Sequence, residues 1–154
     1  MEHREVERRV AEALDAFERE DSYLLAHDLN ERCIAGRIAF HLQLAFPEWS
    51  VDVEYNRDGA EPKRLELSDD CANVTDDDGR ALVVPDIIVH QRGRDGPNLM
   101  GIEIKKAGDR RGVDCDRARI HALQSVLRYR YGALVECETR PGRAHTVEVR
   151  EWFS

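Results

Sequence analysis

Apolar positions recur at helical spacing in the first segment. Val6, Val10, Leu14 and Phe17 fall at i, i+4, i+8 and i+11, one stripe with charges on the other faces. This predicts an N-terminal helix that packs on the domain or on a second copy of the chain. The pattern breaks at Asp21-Ser22, so residues 1–22 read as a helical extension. A second helix is expected from about Asp28 to Phe46, ended by Pro47, with Ile34, Ile38 and Leu42 on its apolar face. Glu31 leads that face, an unusual place for an acid. It is also the last residue of a D-x-x-E capping arrangement that starts at Asp28.

The pattern then changes to period two. Val51–Tyr55 alternates and reads as a half-buried strand, with Asn56–Gly59 as its turn. Leu65–Leu67 is a short strand or a loop segment, and Ser68–Arg80 is an acidic loop. Its Asp76–Asp78 run lacks the alternating ligands of a calcium loop and reads as a solvated turn. Two apolar runs follow, Val83–Val89 and Leu99–Ile104, around a turn-rich centre with Gly93, Gly96 and Pro97, which predicts a hairpin. A third helix is expected over Asp114–Tyr129, capped by Asp114 or Asp116, with Val113, Ile120, Leu123 and Leu127 on its buried side. Strands at Ala133–Glu138 and His145–Trp152 complete the chain. The order predicts one α/β domain over residues 1–154, a mixed sheet flanked by helices.

The hairpin carries the chemistry. Asp86 interrupts its first apolar run and Glu103 its second, and a carboxylate inside a strand is costly unless paired or bound to a cation. A two-residue turn at Arg94-Asp95 sets Asp86 opposite Glu103. A turn at Asp95-Gly96 sets it opposite Lys105. Strand side chains alternate, so either register puts Asp86, Glu103 and Lys105 on one face, and a bulge would upset this. Two acids and a lysine suit a hard cation and its attacking water.

Charge complicates a polyanionic partner. The chain has 31 acidic and 23 basic residues, a net charge of −8. The acids cluster at Asp69-Asp70 and Asp76–Asp78, whereas Arg92, Arg94, Lys105, Lys106, Arg110, Arg111, Arg117 and Arg119 gather around the hairpin, and distribution outweighs the total. Modest unaided affinity for nucleic acid is expected. Lys106, Arg117 and Arg119, with Arg57 in the first turn, are candidate contacts to it. The four cysteines are scattered without zinc spacing, which points to reduced thiols in the cytoplasm. The start resembles no signal peptide, and no apolar run approaches a membrane span.

Pro85-Asp86 followed by Glu103-Ile104-Lys105 resembles the P-D…(D/E)-x-K signature of the PD-(D/E)XK nuclease superfamily, with the likeness running from about Asp28 to Glu138. The resemblance implies a restriction-endonuclease-like α-β-β-β-α-β core, here with an extra N-terminal helix and C-terminal strand. It implies phosphodiester hydrolysis, in DNA first, with Mg²⁺ or Mn²⁺ in its place. Asp86 and Glu103 would hold the metal, with a backbone carbonyl near Ile104. Lys105 would orient or activate the water. Glu31 matches a helical glutamate that points at the metal site in many members. Gln124 matches a helical glutamine of some branches, but the tyrosine often paired with it is Arg128 here. A homodimer or a DNA-binding partner protein is expected. The competing readings are a nuclease-fold binding or assembly module without useful catalysis, and an acidic Ca²⁺ scaffold, against which Lys105 argues.

Overall fold

The computed structural model describes residues 1–54, 57–58, 61–62, 71, 74–75, 81–82, 84–93 and 96–154. The expected elements at Leu65–Leu67 and Asp76–Asp78, the Asp69-Asp70 cluster, the Arg94-Asp95 turn and the Arg57 side chain lie outside the described residues.

Helix α1 spans His3–Ala26. The break expected at Asp21 is a kink (φ −124°, ψ 17°) rather than an end. The Asp21 carboxylate is used there, 2.6 Å from His41 Nε2 and 3.1 Å from Arg37 Nε. Val6, Val10, Leu14 and Phe17 are buried in the protein's own core, so the stripe is spent on the domain and offers no surface to a second copy. Helix α2 spans Glu31–Ala45, three residues shorter at its start than expected. Its N-cap is Asn30, whose side chain accepts from the Cys33 N–H, so the Asp28 capping arrangement does not form. Asp28 instead sits at φ 49° and pairs with Lys106 at 2.7 Å.

The strands are β1 (Ser50–Val53), β2 (Arg57–Asp58), β3 (Glu61–Pro62), β4 (Val74–Thr75), β5 (Ala81–Leu82), β6 (Ile87–His90), β7 (Asn98–Lys106), β8 (Tyr131–Cys137) and β9 (Val147–Phe153). Among the described residues β1, β6, β7, β8 and β9 form a mixed sheet in that order, and β2-β3 and β4-β5 are separate pairs. Among the described residues only β7 and β8 pair in parallel, joined through helix α3 (Val113–Leu127).

The two faces of the sheet bury different partners. Ile87, Val89, Ile102, Ile104, Ala133 and Val135 cluster with α1 and α2. On the other face Ile88 packs with Ala122, Leu123 and Leu127 of α3, and Leu134 with Ile120. Helix α3 approaches closely because β7 and β8 present glycines beneath it. A Cβ on Gly101 would lie 2.7 Å from Leu123 Cδ1, and one on Gly132 2.3 Å from Ile120 Cγ2. Neither Asp114 nor Asp116 caps α3. The N-cap is Gly112, at φ 72°, which lets the chain turn sharply into the helix.

Cys71 and Cys115 are joined in a disulfide, which corrects the expectation of reduced thiols. Cys33 and Cys137 are free. No helix among the described residues is long and apolar enough to cross a membrane.

Candidate active site

The hairpin register decides where the acids point. Ile87 faces Ile102, Ile88 faces Gly101 and Val89 faces Met100. One further step places Asp86 opposite Glu103, the first of the two expected registers. The bulge lies at Val89/His90, on the turn side of these pairs, and leaves the acid end in phase. Asp86 and Ile88 therefore share the α3 face with Gly101, Glu103 and Lys105. Just beyond the last β6 pair, the Asp86 carboxylate accepts from the Ile104 N–H at 2.7 Å. At Ile104 it is thus the N–H that faces Asp86.

Glu103 is 1% exposed. Burial, followed by the neighbouring Asp86 charge, pushes its carboxyl well above the usual glutamate range. Burial raises Asp86 too, offset by the Ile104 N–H and by a hydrogen bond from Glu103. Glu31 reaches the same region from the start of α2. It is half-buried, and its carboxyl is raised by burial while Lys105 opposes and Asp86 adds to that shift.

Two residues of α3 complete the arrangement. Asp116, assigned above to a helix cap, is 2% exposed and turns inward. Lys105 Nζ lies 3.1 Å from Asp116 Oδ2 and donates to the Arg111 carbonyl at 3.0 Å. Arg119 contacts Asp116 through Nη2 and approaches Glu103 Oε1 at 3.4 Å through Nε. Its Nη1 donates to the Cys71 carbonyl at 3.1 Å, so disulfide-bonded Cys71 abuts the site. These ion pairs depart from hydrogen-bond geometry at three atoms. Among the described residues Glu103 Oε1, Asp116 Oδ2 and Arg119 Nε are buried without a hydrogen-bond partner.

Of the residues singled out above, Asp86, Glu103, Lys105 and Glu31 come together. Arg119 joins them as a partner of the acids rather than as an exposed contact to nucleic acid. Lys106 is tied to Asp28, and Arg117 pairs with Glu151 at 2.8 Å. Gln124 is half-buried about 12 Å of helix rise beyond Asp116, away from the acids. His90 does not enter the site. Its Nε2 lies 2.8 Å from Asp52 on the neighbouring strand. Asp116 is the residue that sequence reasoning missed, and its signal was present: Asp116, Arg119, Ile120 and Leu123 recur at i, i+3, i+4 and i+7.

The charges do not balance. Among the described residues Glu31, Asp86, Glu103 and Asp116 face Lys105 and Arg119, two cations fewer than four ionised acids. An oxygen-only donor set with an unpartnered buried Glu103 oxygen fits a small hard dication. Among the described residues no group of three or more His, Cys, Asp or Glu side chains is placed to hold a metal by itself. A two-carboxylate site that relies on water and substrate phosphate for its other ligands needs no such group.

No family model, no curated protein and no solved structure matches the chain.

Proposed function

We propose that this protein is a Mg²⁺-dependent nuclease of the PD-(D/E)XK type that hydrolyses phosphodiester bonds, in DNA first. The observation that carries the reading is the pairing of half-buried Asp86 with buried Glu103, with Lys105 two residues beyond Glu103 on the same strand face. The path α2-β1-β6-β7-α3-β8, with β7 and β8 parallel, supports the restriction-endonuclease-like core; α1 and β9 are then additions to it.

In this reading Asp86 and Glu103 would hold the metal, and Glu31 would add negative charge beside them. A metal held there would polarise the phosphate and stabilise the charge that develops on it. Lys105, fixed by Asp116 and the Arg111 carbonyl, donates hydrogen bonds that orient the attacking water and offset phosphate charge. Arg119 holds Glu103 and Asp116 in place. The Cys71–Cys115 bond favours a setting in which a disulfide persists over a reducing cytoplasm.

One observation favours the competing reading of a binding module without catalysis. Arg119 lies against Glu103 and partly takes the place of a metal. Cleavage of plasmid, single-stranded DNA and RNA with Mg²⁺, Mn²⁺, Ca²⁺ or chelator separates the two. Mg²⁺- or Mn²⁺-dependent cleavage that drops at least a hundredfold in both Glu103→Gln and Lys105→Ala supports the nuclease. Wild-type protein that loads metal yet cuts none of the three substrates leaves the binding module.

A further inference from the structure

Beside the acid centre lies a cavity of about 430 Å³. It is walled by the β7–α3 connection, the start of α3 and the β8 and β9 strands with their connection. Lys105, Arg110, Arg117, Arg140 and Arg150 line it, against the acids Asp109, Glu136 and Glu151. Five cations face three acids there, on a chain whose net charge is −8. The volume lies in the range of cavities that take a small-molecule-sized group.

Most of these cations are held in place. Arg117 is braced by Glu151 at 2.8 Å, and Arg150 by Glu136 at 3.3 Å and Glu148 at 3.0 Å. Arg140 donates through Nε to both oxygens of buried Glu138, at 3.0 and 3.1 Å. It also crosses Gly108, where a Cβ would meet Arg140 Nη1 at 2.9 Å and where φ is +85°. Glycine at that position therefore brings the β7–α3 connection against the β8–β9 connection and closes the wall. Arg110 differs. It is exposed and forms no ion pair among the described residues, so its guanidinium is available to a ligand. Guanidinium forks match phosphate oxygens, and braced arginines lose little freedom on binding. Lys105 joins the two sites, touching Asp116 on one side and lining the cavity on the other.

We propose that this cavity binds a phosphate of the nucleic-acid strand adjacent to the phosphodiester held at the acid centre, with Arg110 and Arg150 as its principal contacts. The proposal rests on the nuclease reading for the identity of the strand, but the cavity's affinity for phosphate is measurable without cleavage.

The test measures binding of fluorescent single-stranded oligonucleotides by the full-length protein in chelator, across a salt series. Arg110→Ala and Arg150→Ala are compared with Arg19→Ala, which removes an exposed arginine from α1 on the opposite sheet face. Arg110→Ala is expected to weaken binding at least fivefold and to reduce the slope of log affinity against log salt by about one. Arg150→Ala should weaken it similarly, Arg19→Ala should leave it unchanged, and Arg110→Lys should restore part. Stronger binding of 5′- or 3′-phosphorylated strands than of hydroxyl-ended or circular ones assigns the cavity a terminal phosphate; equal binding assigns an internal one. Wild-type affinity and slope in both Arg110→Ala and Arg150→Ala overturn the proposal, even where metal-dependent cleavage stands. Weakened binding in those variants, with no cleavage by wild type under any metal, sustains the cavity and sinks the nuclease instead.

Discussion

Glu103 places an ionisable group where water hardly reaches, and that has a sign. A carboxyl raised in the folded state favours folding when protonated. That stability is complete below the ordinary glutamate value of about 4.3 and is lost as pH rises through the higher folded value. Glu103→Gln keeps the shape and removes the charge. Without metal it should be more stable than wild type at pH 8, with the advantage vanishing near pH 4, as followed by urea unfolding at several pH values. A cation works in the opposite direction. Saturation at a hundredfold excess over Kd adds about 2.7 kcal/mol to a protein that binds only when folded. Mn²⁺ should therefore raise the melting temperature of wild type and not of Glu103→Gln; equal shifts would place the metal elsewhere. Asp86, Glu103 and Lys105 were legible in sequence because alternation in a strand leaves only two faces. Asp116 was not, because an acid in the first turn of a helix reads equally well as a cap, and only the αL turn at Gly112 assigns capping elsewhere.

At the scale of elements, the site depends on how closely α3 lies on β7 and β8, since α3 supplies Asp116 and Arg119. Gly132 sets that distance beneath Ile120. Gly132→Ala should cost about 1–3 kcal/mol by overpacking. In the Gly132→Ala background, Ile120→Ala, which removes the clashing Cγ2, should cost less than it does in wild type, a coupling that a double-mutant cycle in urea measures. Strict additivity would show that α3 has other room to move. The order of helices and strands was readable from the change of hydrophobic period. The start of α2 was not, since Asp28 and Asn30 are both good caps. Contact with Lys106, seventy-eight residues away, holds Asp28 outside the helix.

Across the whole molecule, one covalent link ties a distant segment to the site. Cys71 and Cys115 are 44 residues apart in sequence, a pairing that no local spacing announces. Closing a loop of that length removes about 4 kcal/mol of unfolded-state entropy, and measured disulfides contribute about 2–4 kcal/mol. The bond also fixes the Cys71 carbonyl that receives Arg119, and Arg119 in turn stands against Glu103 and Asp116. Reduction should then act twice. Stability falls by about 2–4 kcal/mol, and Arg119 loses the contact that holds it over the acids. Thiol titration of the denatured, unreduced protein should find two free cysteines, Cys33 and Cys137. Cys71→Ser with Cys115→Ser should match the reduced protein in unfolding midpoint and in metal-dependent cleavage, and reoxidation should restore wild type but not the double variant. Four free thiols in the protein as isolated, or a double variant as stable as oxidised wild type, would remove the link and with it this route from the segment before β6 to the acids.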